Sequence, residues 1–262
     1  DGEDSDDNNE FVCNDDDGDS CDECSSGSYD SANDGTDFDC DGTCDAGDPT
    51  VGGEITLNFS NATETTIDIE YDLSSCQGIS GFQFHADGVD LISATDGNLT
   101  VQTANNNVVA FDMGGAQLDI GSGSLATLDF VADIDGATIS LSDVIIGAAG
   151  GLEITTDGPG TADIDACTNF DGDDLCDIDV DDDDDNDGST DADDSDDNNA
   201  TVCSDTDTDT CDDCTNGSYD VANDGDDNDS DGICNAGDDD DDNDGASDEN
   251  DSDDNNPYVC SD

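Results

Sequence analysis

The chain has no Lys and no Arg, against 76 Asp and Glu in 262 residues and a formal charge of −76. One His aside, that absence removes every internal counter-charge. Two carboxylates about 4 Å apart repel by roughly 4 kcal/mol at an effective dielectric near 20, so the acids cannot be brought together unaided. Something cationic has to be part of the folded object. The same absence excludes nucleic acid as a partner, because phosphate binding rests on Lys and Arg. It also leaves trypsin-like proteases nothing to cut. Trp is missing as well, which weakens a carbohydrate-binding reading. No apolar run of about 18 residues exists, so no membrane-spanning helix is expected. The chain starts at Asp1 with neither Met nor an apolar signal segment, and reads as a mature or trimmed form.

What is present opposes the disorder that such a composition suggests by itself. There are 13 Cys, which in so acidic a chain indicate an oxidising, extracellular or cell-surface setting. Zinc is the rival use of Cys21/Cys24 and Cys211/Cys214, both C-x-x-C. Structural zinc sites want four Cys or His ligands in two close pairs, and each pair here lies beside Asp-rich segments instead. Most of the Ile, Leu, Val and Phe fall in residues 51–164, so the one sizeable hydrophobic core is expected there. Residues 1–50 and 165–262 have to be held by metal and disulfides.

A long internal repeat runs through those two segments. Asp4-Ser5-Asp6-Asp7-Asn8-Asn9 recurs at Asp194–Asn199 and at Asp251–Asn256. Cys13, Cys21, Cys24 and Cys44 match Cys203, Cys211, Cys214 and Cys234, an offset of 190. Ala32-Asn33-Asp34-Gly35 matches Ala222-Asn223-Asp224-Gly225. Asp1 and Asp4 align with Asp191 and Asp194, as the last two ligands of a broken loop. The incomplete repeats at both ends are expected to meet head to tail, Asp251–Asp262 of one copy against Asp1–Asp19 of the next. Such a heterologous contact builds open filaments unless rotation closes it.

The acids fall at metal-loop spacing. In a twelve-position calcium loop, side chains at 1, 3, 5, 9 and 12 and the main-chain carbonyl at 7 converge on one ion, with Gly at 6 for the sharp turn. Four segments fit throughout. The first is Asp37, Asp39, Asp41, Gly42, Thr43, Asp45, Asp48. The second is Asp183, Asp185, Asp187, Gly188, Ser189, Asp191, Asp194. The third is Asp227, Asp229, Asp231, Gly232, Ile233, Asn235, Asp238, and the fourth Asp240, Asp242, Asp244, Gly245, Ala246, Asp248, Asp251. Four matches, each with its Gly, set these segments apart from a solvated acidic tail. Weaker versions are Asp15, Asp17, Asp19 and Asp22, and Asp205, Asp207, Asp209 and Asp212, which lack Gly at 6. Asn169, Asp171, Asp173 and Asp177 form a degenerate loop. All-oxygen ligand sets point to several Ca²⁺ ions rather than Mg²⁺, which demands tighter octahedral geometry. The acid runs Asp181–Asp185 and Asp238–Asp242 are placed to bridge neighbouring ions.

No amphipathic helices flank these loops. The pattern D-x-D-x-D-G-x-x-D-x-x-D with interspersed Cys, as in Asp37-Phe38-Asp39-Cys40-Asp41-Gly42-Thr43-Cys44-Asp45-Ala46-Gly47-Asp48, resembles bacterial extracellular thrombospondin type 3 repeats. The resemblance covers residues 1–48 and 167–262. It implies arms wound around a string of Ca²⁺ ions, with little core and disulfides pinning the turns. Cysteine connectivity is not derivable from spacing. The expected pairs are Cys24–Cys44, Cys214–Cys234, Cys13–Cys21, Cys203–Cys211 and Cys167–Cys176. Cys40, whose repeat equivalent is Ser230, is expected to pair with Cys76, which leaves Cys260 over for an intermolecular bond.

Residues 51–164 read as strands. Candidates are 54–59, 66–73, 79–84, 89–94, 99–103, 108–112, 124–131, 137–141 and 152–155, several alternating as Ile67-Asp68-Ile69-Glu70-Tyr71-Asp72-Leu73 does. The expected fold is mainly β: one jelly-roll-like antiparallel β-sandwich of about 110 residues between irregular arms. Ile67–Asp72, Ile79–Phe84 and Gly123–Phe130 resemble cohesin-like domains of secreted bacterial and archaeal proteins. Phe82, Phe84, Phe111 and Phe130 are expected in its core, and His85 as a satisfied strand-end histidine rather than a catalytic base. Sequons at Asn58, Asn61, Asn98, Asn199, Asn216, Asn228 and Asn250 allow glycosylation. The expected function is a secreted, non-enzymatic, Ca²⁺-rigidified subunit of an extracellular filament or stalk. The alternative is an adhesin or binding module whose sandwich recognises a glycan or surface protein.

Overall fold

Alternation of inward apolar and outward polar residues, clearest in Thr66–Ser74, underlies the ten strands of residues 54–164. The structure, a computed structural model, describes residues 5, 6, 8–178 and 180–260. The broken loop expected at Asp1 and Asp4 lies outside them, as do Ser261 and Asp262. The chain divides into two compact units, Asp1–Ala166 and Cys167–Asp262. Among the described residues no helix is long and apolar enough to cross a membrane.

The strands are β1 (Glu54–Ser60), β2 (Thr66–Ser74), β3 (Ile79–Asp87), β4 (Leu91–Thr95), β5 (Thr100–Ala104), β6 (Asn107–Phe111), β7 (Gly121–Phe130), β8 (Ala137–Ala148), β9 (Glu153–Asp157) and β10 (Thr161–Ile164). One sheet runs β4-β7-β2-β1 and the other β8-β3-β6-β5, with β10 on β8. β9 joins them. Its Glu153 and Ile154 pair antiparallel with β8, whereas residues 155–157 of β1's partner register, Thr155–Asp157, pair parallel with β1. That parallel pairing departs from the all-antiparallel expectation. The tight turn at Ala149–Gly151 forces β9 to run antiparallel to β8. No turn connects β9 to β1, so nothing imposes that direction on the second pairing.

The core follows from the alternation. Ile67, Ile69, Tyr71 and Leu73 of β2 line the inner face of the first sheet together with Ile55 and Leu57 of β1 and Leu125, Ala126, Leu128 and Phe130 of β7. Leu125 and Ala126 are consecutive and both buried because a bulge in β7 opposite Ile69 and Glu70 puts an extra residue inward. Phe82 and Phe84 share the inner face of β3 with their rings stacked, centroids 5.8 Å apart. Burying one such side chain contributes roughly 1.5–3 kcal/mol.

Phe111 is not in this core; it is 45% exposed. Ala110 pairs with Phe82 and points inward, so the next residue of β6 must point out. Val109 on β6 and Ile145 on β8 are exposed on the same outer face.

Within the first unit, the loop at 37–48 is tied to the sandwich. Cys40 is bonded to Cys76, as expected. The Cys76 N–H donates to the Asp39 carbonyl at 2.9 Å, and Phe38 packs against the core.

Candidate metal centres

Seven acid-rich loops share one backbone design. They start at Asp15, Asp37, Asn169, Asp183, Asp205, Asp227 and Asp240. In all seven the side chain at position 9 accepts the N–H of residue 2. The acceptors are Glu23, Asp45, Asp177, Asp191, Asp213, Asn235 and Asp248. In all seven the carboxylate at position 5 accepts the N–H of residue 7. Short polar side chains thus replace secondary structure as partners for the main chain.

Sharp turns complete the design. Position 4 has positive φ in every loop: Gly18, Cys40, Gly172, Asn186, Thr208, Ser230 and Asn243. Position 6 does so in six of them, at Ser20, Gly42, Gly188, Thr210, Gly232 and Gly245. Ser20 and Thr210 therefore occupy the left-handed conformation that Gly takes elsewhere, at φ 78° and 83°. The degenerate loop at Asn169 has the position-4 turn but not the second.

In three of the four full loops the carboxylates lie near enough to act on one another. Asp39 carries the repulsion of Asp41, Asp48 and Asp37. Asp185 carries that of Asp187 and Asp194, and Asp242 that of Asp244 and Asp251. Burial first, and these charges next, raise the pKa of all three. Each carboxylate gives one oxygen to a backbone N–H and keeps the other for something else. The spare oxygens of Asp48, Asp183, Asp185, Asp187, Asp240, Asp242, Asp244 and Asp251, and the Ser189 hydroxyl, are buried and unpartnered. Apart from Ser60 and Asp96, every such atom among the described residues belongs to a loop or to an acid packed on one. A buried ion without a partner costs several kcal/mol. With no Lys or Arg in the chain, only a cation from outside offsets that. Hard oxygens at this spacing fit Ca²⁺. The third loop differs: the Asn243 amide donates to Asp229 and Asp231.

Two assignments are corrected. Asp22 and Asp212 stand at position 8 of their loops, not at position 9, and their carboxylates accept backbone N–H groups. Asp22 accepts the N–H of Cys13 and of Cys24, both at 2.9 Å, and Asp212 accepts those of Cys203 and Cys214 at 2.9 and 3.0 Å. Their place at position 9 belongs to Glu23 and Asp213. This same bonding decides the disulfides. It sets Cys13 beside Cys24 and Cys203 beside Cys214, and those are the bonded pairs, in place of Cys13–Cys21 and Cys203–Cys211. The Asp19 carbonyl accepts from Cys44 and that of Asp209 from Cys234, each at 2.6 Å. Cys21–Cys44 and Cys211–Cys234 follow, in place of Cys24–Cys44 and Cys214–Cys234. Both C-x-x-C pairs are therefore split between two disulfides and offer zinc no thiolates. Cys167–Cys176 forms as expected, and Cys260 is free and exposed. The neighbouring Asp244 carboxylate raises the pKa of the Cys260 thiol.

Sequence reasoning placed Asp181, Asp184 and Asp241 only within acid runs that bridge neighbouring ions, and it gave Asp34 and Asp224 no role. Asp184 and Asp241 stand at position 2 of their loops, each with an unpartnered oxygen, and Asp181 precedes the second loop in the same condition. Burial, then Asp191, Asp177, Asp197 and Asp181, push Asp184 up to about 6. Asp34 and Asp224 are buried outside any loop. The available signal was recurrence: Asp34 and Asp224 fall in the tetrapeptide that repeats between the two segments.

His85 sits on β3 with Nδ1 3.2 Å from Asn107 Oδ1 and Nε2 3.6 Å from Asp87. Asp87 also accepts from the Ser142 hydroxyl at 2.6 Å. The carboxylate lies between His and Ser, so the imidazole is not placed to take the hydroxyl proton.

No family model matches the chain, and no curated protein matches it. Solved structures are similar over the sandwich. A non-cellulosomal cohesin from the archaeon Archaeoglobus fulgidus is 14% identical at a TM-score of 0.32, covering 43% of this chain and 92% of that one. The cohesin–dockerin complex Coh-OlpC-Doc435 from Clostridium thermocellum gives 14%, 0.34, 44% and 95%. The cohesin module of a family 33 glycoside hydrolase from Clostridium perfringens gives 8%, 0.32, 44% and 97%. At these scores the likeness carries over no ligand, partner or activity.

Proposed function

We propose that the chain is a secreted, non-enzymatic structural protein whose acidic segments are made rigid by Ca²⁺. It serves as a subunit of an extracellular filament or cell-surface stalk that associates head to tail. The observation that carries this reading is the set of buried, unpartnered carboxylate oxygens in the loops. The residues at positions 1, 3, 5, 9 and 12 would hold each ion. Bound there, Ca²⁺ supplies attraction where the chain has only repulsion, and so turns an acidic segment into a stiff one. Six disulfides support an oxidising, extracellular setting. The filament part rests on one loop design repeated along the chain. Negative-stain microscopy with and without excess EDTA tests it. Filaments that slacken or dissolve on chelation support the reading, and isolated particles under both conditions reject the filament.

One observation favours a binding module instead. Val109, Phe111 and Ile145 expose apolar surface on the outer face of β8-β3-β6. Under that reading the sandwich grips a glycan or protein, and the loops are stiff spacers. Isolated particles that bind a glycan array or a surface protein, with binding lost in Phe111→Asp, decide for it.

A further inference from the structure

We propose that the loops starting at Asp15 and Asp205 each hold a divalent cation closed by an acid from outside the loop, Asp34 in the first copy and Asp224 in the second. This deepens the calcium reading and rests on it.

In a full loop the acid at position 12 closes the site. Here position 12 is Ser26 or Asn216. Ser26 bonds to Ser28, and the Asn216 amide donates to the Asn223 carbonyl at 2.6 Å. Neither supplies a carboxylate, yet both sites are built. Glu23 is fully buried and Asp213 is 1% exposed. Each spends one oxygen on the N–H of residue 2 and keeps the other buried without a partner. Oxygens of Asp15, Asp17 and Glu23 all lie within 4.8 Å of one another.

A further acid reaches this cluster from about one loop length further on. Asp34 is 6% exposed and Asp224 4%, and each has an unpartnered buried oxygen. Asp34 acts on Asp17 together with Asp19 and Glu23, and Asp224 is in the field of Asp209, Asp207 and Asp213. Both approach for the same structural reason. The N–H of Asp30 donates to the Glu23 carbonyl and that of Asp220 to the Asp213 carbonyl, each at 2.9 Å. Gly35 and Gly225, the next residues after the two acids, lie under the disulfides Cys21–Cys44 and Cys211–Cys234. A β-carbon on either glycine would overlap both sulfurs. The disulfide thus packs directly on the residue that follows the acid in both copies. Five carboxylates with two buried spare oxygens, and no Lys or Arg in the chain, make a ligand set that an added ion neutralises.

The test is calcium content of the full chain after equilibrium dialysis. Asp34→Asn with Asp224→Asn is expected to lose two ions relative to the unchanged chain, or to weaken two sites at least tenfold. The control is Asp30→Asn with Asp220→Asn. It makes the same charge change on acids whose turn bonds to Ala32 and Ala222 an Asn reproduces, and it is expected to keep the ion count. An unchanged count in the first variant overturns the proposal while leaving calcium binding intact. No calcium in the unchanged chain overturns both. Carboxyl labelling of the unchanged chain over a calcium titration needs no variant to fold. Asp34 and Asp224 are expected to become protected at the same midpoint as Asp17 and Asp207. Labelling that persists at saturating calcium overturns the proposal.

Discussion

Leu128 in the sandwich and Asp187 in the second full loop are both almost removed from solvent, at 0% and 3% exposure, and their burial has opposite meanings. Leu128 gains by leaving water, in a core of apolar side chains. Asp187 loses hydration, takes one backbone N–H, and meets the charge of other acids. The sandwich carries its own reason to fold. The loops specify a shape whose stability has to come from elsewhere: from disulfides, and from the cation proposed above. One chain thus holds a region that folds by its own composition and, under the reading proposed above, regions that fold by what they bind.

The largest effect should come from chelation. Excess EDTA is expected to abolish amide-exchange protection across 169–194 and 205–251 while the strands β1–β10 keep theirs. Loops that stay protected would erase the distinction between the two regions. Next is Leu128→Ala, expected to cost the sandwich about 2–5 kcal/mol in a denaturant titration through the cavity it leaves. It should not change the number of calcium ions bound. A loss of ions would mean that loops and sandwich fold as one.

Acidity should act in opposite directions on the metal-free and metal-loaded loops. Asp184 has its folded pKa raised to about 6, above its ordinary value of 3.8. Its contribution to the metal-free fold is therefore full below pH about 4 and is lost as pH rises through about 6. Circular dichroism of the metal-free chain should show more structure at pH 4 than at pH 7. Calcium affinity should fall as pH drops over the same interval, because proton and cation compete for one carboxylate. A metal-free chain that is less ordered at pH 4 would contradict this.

The smallest effect sharpens the comparison among the loops themselves. Ser20→Gly and Thr210→Gly relieve a left-handed residue at φ 78° and 83°, each worth about 1 kcal/mol after the extra freedom of glycine when unfolded is offset. Calcium titration should show a gain of about fivefold in the affinity of those two sites. The reverse change, Gly188→Ala, should weaken the second full loop by a similar factor.

Much of this was legible in the sequence. Nine strands were visible because a half-buried strand writes its faces into a period of two, as Thr66–Ser74 does. β10 was not, since four residues after Gly158-Pro159-Gly160 are too few to show a period. Phe111 was misplaced because Val108, Val109, Ala110 and Phe111 are all apolar, and a run without alternation does not say which face is inside. The loops themselves were visible because one turn design repeats. Where Gly was replaced, the frame was lost by one residue, and Asp22 was read in place of Glu23.

The sequence by itself determined what happens within about twelve residues: the turn positions, the oxygens offered by each loop, the alternation of each strand. It also determined, through the absence of Lys and Arg, that no internal charge can answer those oxygens. Only the tertiary structure decided which Cys pair across separations of 11 and 23 residues, which strand joins two sheets, and that Asp34 and Asp224 arrive at loops they do not belong to. The physical reason is range. Local bonds are set by spacing, whereas these meetings depend on backbone hydrogen bonds, such as Cys44 to Asp19, that form between segments with no spacing in common.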